Sequence, residues 1–177
     1  MSIENKRREV LFSKKEIEER VRLLGQEITK EYESKNLLVV SLLKGSFIFA
    51  ADLVREIKLP VRIEFMTTSS YGHGEESSGA VKVIQDLVVD NLHEYDVLVV
   101  DDIIDSGITM VGVLEHLSKK GPKSLKCCSL LDKPSRRQVE IKPDFFGYEI
   151  PDKFIVGYGL NYGYLFRNED HIFAFVD

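Results

Sequence analysis

The chain has 177 residues, 44% of them hydrophobic and 30% charged, with a formal charge of −5 from 24 basic and 29 acidic side chains. That length supports one domain, residues 1–177, with a proper core. The acidic balance lacks any long basic run and excludes an extended nucleic-acid surface, and no apolar run approaches a membrane span. Cys127 and Cys128 are adjacent in the apolar stretch SLKCCSLL, so they read as buried thiols of a reduced compartment, not a disulfide framework. No amino-terminal segment has the flanks of a signal peptide, and a cytoplasmic location is expected.

The first elements are scaffold. After a short apolar stretch at Val10 to Phe12, Ser13 and Glu16 form a capping-box pair, and Ile17, Val21, Leu24, Ile28 and Tyr32 follow at helical spacing. The charged face of this helix reads as solvated. Leu37 to Leu43 is an apolar run suited to a buried strand, followed by a tight Lys44-Gly45-Ser46 turn and an amphipathic helix through Ile57. A turn of this kind, between a parallel strand and a helix, offers backbone N–H groups to an anion. VRIEFM, from Val61 to Met66, reads as another strand that continues through TTSSYG. The polar, glycine-rich GHGEESSGA then precedes a strand-like VKVIQD and a connecting NLHEYD. That glycine-rich segment suits a lid over a ligand and an ordinary exposed hairpin loop equally well. His73 within it is given no role.

The stretch from Val97 to Thr109, VLVVDDIIDSGIT, carries the chemistry. Four apolar residues fit a strand buried on both faces, and Met110, Val113, Leu114 and Leu117 recur at helical spacing after it. The polar residues between are therefore expected on the loop joining a strand's carboxyl end to a helix's amino end, where open α/β sheets bind ligands. Helix-start amides, the hydroxyls of Ser106 and Thr109, and a close backbone at Gly107 make a cradle for a phosphate dianion. Asp101 and Asp102 would repel that phosphate, so they suit another part of the ligand, one bearing hydroxyls or a divalent cation such as Mg²⁺. A phosphorylated sugar with a metal satisfies both ends, and Asp105 is left for proton transfer. Any one acid alone would pass for a helix cap. Three in five residues cost stability unless something binds them.

Beyond the next helix, which Lys119, Lys120 and Gly121-Pro122 terminate, SLKCCSLL reads as a strand running into Asp132-Lys133-Pro134. The last third contains IPDKFIVGYG and GLNYGYLFR. Taken alone, Lys133 fits a surface lysine and Phe154 a core aromatic.

The run from Val97 to Thr109 resembles the phosphoribosyl-pyrophosphate signature of type I phosphoribosyltransferases, and DDIIDSGIT resembles the hypoxanthine-guanine branch in particular. IPDKFIVGYG is similar to that branch's base-binding segment almost residue for residue. Several separated motifs agree in order and spacing from about Val10 onward. The resemblance implies an α/β fold with a central, mainly parallel sheet flanked by helices, and a small hood built largely from about residues 133–177. It implies transfer of a phosphoribosyl group from phosphoribosyl pyrophosphate to hypoxanthine or guanine, giving a purine nucleoside monophosphate and pyrophosphate, with Mg²⁺ as cofactor and a homodimer or homotetramer as the assembly. Two other readings stand beside it: a nucleotide-sensing regulator on the same fold, for which no basic face is found, and a xanthine-preferring relative.

Residue by residue, the resemblance assigns the pyrophosphate to Lys44, Gly45 and Arg167, with a cis peptide before Lys44. It assigns the ribose hydroxyls and metal to Asp101 and Asp102, the 5′-phosphate to Asp105, Ser106, Gly107, Ile108 and Thr109, and the proton of the purine N7 to Asp105. The 6-oxo group goes to Lys133, stacking on the purine to Phe154, a backbone contact with its edge to Ile155, and the start of a mobile lid to Ser70 and Tyr71. One departure stands out: the family pattern has Asp where this chain has Asn161. An uncharged ligand there would weaken a second Mg²⁺ site while leaving a backbone contact to a guanine amino group intact.

Overall fold

The structure is a computed structural model, and it describes residues 6–70, apart from the side chain of residue 70, and residues 81–176. The expected lid begins at its margin: Ser70 ends a strand, whereas Tyr71 and His73 lie outside the described residues.

Six strands form the main sheet. β2 (Leu37–Leu43), β5 (Asp96–Ile104), β6 (Ser124–Asp132) and β7 (Phe145–Glu149) run parallel to β3 (Arg62–Ser70), and β4 (Val81–Gln85) is antiparallel to it, in the order β4-β3-β2-β5-β6-β7. Successive side chains of an apolar strand leave on opposite faces, so a continuous run can fill two cores. Val39, Leu98 and Val100 pack with α1 (Lys14–Glu31) and α2 (Phe47–Glu56) on one face, and Leu38, Val40, Val97 and Val99 pack with α3 (Ile108–Ser118) on the other. Both cysteines of β6 are buried and free, one on each face. Burial pushes the Cys127 thiol up to about 11 and Cys128 higher still, so neither is a ready nucleophile.

The helices form where the pattern places them. Ser13 and Glu16 close the capping box of α1, and the stripe from Ile17 to Ile28 is buried. NLHEYD contains a short 3₁₀ turn, Leu92–Glu94.

One boundary differs from expectation. Asp101 and Asp102 belong to β5, not to the following loop, because β6 goes on pairing with β5 as far as Ile104 opposite Asp132. The edge strand β7 has no alternating signal in FFGYE, and its residues are only half-buried there. A separate three-stranded antiparallel sheet unites β1 (Arg7–Phe12) with β9 (Ile172–Val176) and β8 (Ile155–Val156). The amino-terminal strand thus joins the carboxyl-terminal segment in the smaller layer.

The order places a switch point. From β2 the chain crosses through α2 to β3 on one side, and from β5 it crosses through α3 to β6 on the other. The carboxyl ends of β2 and β5 are neighbours whose loops therefore diverge, leaving the crevice in which open α/β sheets bind ligands.

Among the described residues, no helix is long and apolar enough to cross a membrane.

Candidate functional site

Three loops meet at the crevice. After β2, the exposed Lys44 follows a cis Leu43–Lys44 peptide bond, and buried Ser46 closes the turn by donating its hydroxyl to the Leu42 carbonyl, 2.5 Å away. Gly45 lies against the end of β5: a Cβ there would stand 2.1 Å from Asp102 Oδ2. One on Gly159 would stand 2.1 Å from the Gly45 carbonyl oxygen, so the hood segment, the Lys44 turn and the acidic strand end close up only with glycines present. Arg167 donates to the Gly159 carbonyl and brings its charge toward Asp102. Lys44, Gly45, Asp102 and Arg167 are thereby gathered from three separate stretches of chain.

Asp101 and Asp102 are half-buried side by side. Asp101 Oδ1 accepts from the Asp102 amide at 3.0 Å, and Asp102 Oδ1 from the Ile103 amide at 3.0 Å. Burial, then the adjacent Asp102 carboxylate, push the Asp101 carboxyl well above the usual carboxylate range. Burial also raises Asp102, opposed by its hydrogen bonds and by the Arg167 charge. Among the described residues no cluster of three or more His, Cys, Asp or Glu side chains could hold a metal. Two carboxylates alone still fit Mg²⁺, which commonly takes one or two from protein and completes its shell with substrate phosphate and water.

Asp101 also lines a cavity of about 110 Å³ shared with Asp105, Ser106, Gly107 and Thr109. Gly107 caps α3 with φ of +84°, a left-handed conformation suited to glycine, and no side chain caps the helix at that position. Ser106 Oγ accepts from the Ile108 amide at 3.3 Å. The other first-turn amides of α3 have no partner within the helix, and Thr109 and Met110, which carry two of them, also line the cavity. Three larger hollows, about 510, 500 and 290 Å³, lie beside the helices, the first and third between α1, Asp52 and Tyr158, the second between α3, β4 and Gln138.

Lys133 follows β6 and is only 6% exposed. Its Nζ donates to the Lys153 carbonyl at 2.9 Å and stands 4.0 Å from Asp105 Oδ2 and 3.8 Å from Asp152 Oδ1. Phe154, next to that carbonyl, is 61% exposed and meets Tyr162 edge-on at 5.6 Å, so it is a presented ring, not a core aromatic. Ile155 is buried, its backbone paired with Ala174. Asn161 turns its amide nitrogen to the Gly163 carbonyl.

Two residues at this site escaped the sequence reading. Tyr158, buried with φ of +50°, donates its hydroxyl to Asp52 of α2 and so ties the hood to the helix that begins at the Lys44 turn. Arg137 clasps the loop after β5 from behind. Tyr158 lies inside IPDKFIVGYG, but the motif says nothing of its hydroxyl, and Arg137 sits in no periodic or motif-like pattern; each acts through a partner distant in sequence.

A family model for the phosphoribosyl transferase domain matches residues 9–163. The chain is 54% identical over 160 residues to a hypoxanthine phosphoribosyltransferase of Buchnera aphidicola, covering 89% of this chain and 90% of that one. It is 46% identical over 176 residues to a hypoxanthine-guanine phosphoribosyltransferase of Aquifex aeolicus, covering 99% and 98%. The crystal structure of a hypoxanthine phosphoribosyltransferase from Staphylococcus aureus superposes with a TM-score of 0.92 at 39% identity, over 99% of this chain and 95% of that one. The chain belongs to the phosphoribosyl transferase family. Its curated relatives are purine salvage enzymes of the hypoxanthine and hypoxanthine-guanine branch.

The crowded carboxylates predict a measurable cost in the free protein. A carboxyl whose folded value lies above its unfolded value, about 3.9 for Asp, takes up protons on folding, so stability falls as pH rises through that window. Asp101→Asn should lack this fall. Without Mg²⁺ or nucleotide at pH 7.5, its thermal midpoint should exceed that of the parent by about 2–4 °C, the shift about 1 kcal/mol produces in a chain of this size. The two should converge near pH 4. Calorimetry across pH checks it, and an equal or lower midpoint at pH 7.5 would refute the repulsion.

Proposed function

We propose that the chain transfers the 5-phosphoribosyl group of phosphoribosyl pyrophosphate to hypoxanthine or guanine, giving IMP or GMP and pyrophosphate. The observation that carries this reading is convergence at one crevice. An anion cradle at a helix start, two adjacent half-buried carboxylates, and a buried ammonium beside an exposed aromatic ring stand together. These are the chemistries a phosphorylated sugar, a metal-bound leaving group and an oxopurine each require.

Breaking the anomeric C–O bond builds positive charge on the ribose and negative charge on the departing pyrophosphate. Lys44, the Gly45 amide and Arg167 would hold that pyrophosphate, Arg167 with its forked guanidinium. Asp101 and Asp102 would hold the ribose hydroxyls and the Mg²⁺ bound to them. When bound, Mg²⁺ supplies neutralisation of the leaving group. Ser106, Gly107, Ile108 and Thr109 would bind the 5′-phosphate. Lys133 would donate to the purine 6-oxo oxygen in place of the Lys153 carbonyl it now meets. Phe154 would stack on the ring, and the Ile155 backbone would meet the base edge. Asp105 would take the N7 proton as the new C–N bond forms, a step that needs nitrogen and anomeric carbon held in near-attack geometry. Asn161 offers an amide oxygen to a second Mg²⁺, without charge. Ser70 and Tyr71 would open a lid that keeps water from the ribosyl centre. We further expect a cytoplasmic homodimer or homotetramer, on the family resemblance alone.

The test is a steady-state assay with phosphoribosyl pyrophosphate and Mg²⁺, each base offered separately. Hypoxanthine or guanine should turn over and adenine should not, because its 6-amino group cannot accept from Lys133. Silence with hypoxanthine, guanine and xanthine would overturn the reading, and turnover of xanthine above both others would move it to the xanthine-preferring alternative.

Two variants refine it. Asp105→Asn should lower kcat about 100-fold or more with a much smaller change in phosphoribosyl pyrophosphate affinity; equal losses would refute the base role. Asn161→Asp should lower the Mg²⁺ concentration giving half-maximal rate, and an unchanged Mg²⁺ titration would remove Asn161 from the metal site.

A further inference from the structure

Three successive carbonyls, of Ile104 at the end of β5 and of Asp105 and Ser106 after it, face the segment that follows β6, and all three are taken by it. Arg137 Nη1 donates to the Ile104 carbonyl at 3.0 Å and to the Asp105 carbonyl at 2.7 Å, and the Gln138 amide donates to the Ser106 carbonyl at 2.9 Å. The Lys133 amide adds a second bond to the Ile104 carbonyl at 3.0 Å. Arg137 Nη2 is in turn anchored on the Asp132 carboxylate at the end of β6, in a largely buried ion pair. Its methylenes also pack behind Gly107: a Cβ on that glycine would lie 3.1 Å from Arg137 Cδ.

A trans peptide unit is planar, with its C=O and N–H pointing in opposite directions. A carbonyl held toward the segment after β6 therefore aims the next residue's N–H away from that segment. Fixing the carbonyls of Ile104, Asp105 and Ser106 aims the amides of Asp105, Ser106 and Gly107 toward the cavity that Asp101, Ser106 and Thr109 line. A guanidinium suits this task because one rigid plane reaches both carbonyls and the carboxylate at once, which an ammonium cannot do with the same geometry.

We propose that Arg137, anchored by Asp132, is a positioning residue that sets the peptide planes of the phosphate cradle. It acts from behind the loop and touches no substrate atom. The proposal rests on the reading of that loop as the 5′-phosphate site, and the test separates the two.

The readout is the ratio of affinities for IMP and inosine, which differ only in the 5′-phosphate, measured calorimetrically beside turnover in the parent and its variants. Arg137→Gln should weaken IMP about tenfold or more while inosine changes by less than about twofold, since only the phosphate loses aligned donors. The KM for phosphoribosyl pyrophosphate should rise with it. Arg137→Lys should fall between the two, and Asp132→Asn, which loosens the anchor while keeping the arginine, should weaken IMP about threefold. IMP affinity retained within about twofold, or equal losses for IMP and inosine, would overturn the positioning role. If Arg137→Gln does not fold, Arg137→Lys and Asp132→Asn carry the same ratio. A parent protein that binds IMP no better than inosine overturns the phosphate reading itself and the inference with it. Turnover by the parent with unchanged ratios in the variants overturns the inference alone.

Discussion

The parallel pairing of β2 with β5, from Leu37 opposite Asp96 to Ser41 opposite Val100, is the contact on which the site depends. Both strands are buried on two faces, so neither can slide without moving a whole apolar set out of its core. Their crossovers leave in opposite directions, and a crevice must open where they part. The Lys44 turn and the acidic end of β5 are its two lips. Gly45 against Asp102 sets how close those lips come, and a side chain at Gly45 would hold them apart.

Charge is arranged in conflict across a short span of chain. Amides gathered at the start of α3 favour an anion, while three and four residues upstream of Asp105 two carboxylates repel one another. Apart from any ligand, this pairing costs stability. It becomes favourable when an anion and a cation arrive together, as a phosphorylated sugar with bound Mg²⁺ would do. The half-buried Arg167 moderates Asp102 from the hood side, so the hood contributes to the electrostatics of the sheet edge as well as carrying Phe154.

The sheet was legible because buried parallel strands read as continuous apolar runs, and β2, β5 and β6 are such runs. The acidic loop was legible because hydroxyls, glycine and carboxylates after a buried strand have few structural uses. Its placement was one step off: β5 carries Asp101 and Asp102 within the strand, since pairing with β6 is a long-range fact that local polarity cannot show. Lys133 and Phe154 would have passed for surface and core residues without the family resemblance. Arg137 and Tyr158 stayed hidden for a different reason. Their partners, Asp105 and Asp52, lie 32 and 106 residues away in sequence, so no local pattern shows what either side chain holds.

The neighbouring order of β5 and β6 explains why one short connection serves two purposes. Adjacent parallel strands end side by side, so the segment leaving β6 must run past the loop leaving β5. Its first residue, Lys133, reaches to the Lys153 carbonyl on the side proposed for the base, and Arg136 meets Asp152 there at 2.8 Å. Four residues after Lys133, Arg137 turns back to the Ile104 and Asp105 carbonyls, behind the proposed phosphate cradle. The span between cradle and base-side carbonyl is thus set by a few residues braced at both ends, not by the flexibility of a long loop. Joining a base nitrogen to an anomeric carbon requires that span to be held to a fraction of an ångström, because misplacement of about 1 Å can cost about 100-fold in rate. A brace that joins Lys133 to a planar guanidinium at the carboxyl ends of β5 and β6 meets that demand over five residues of chain.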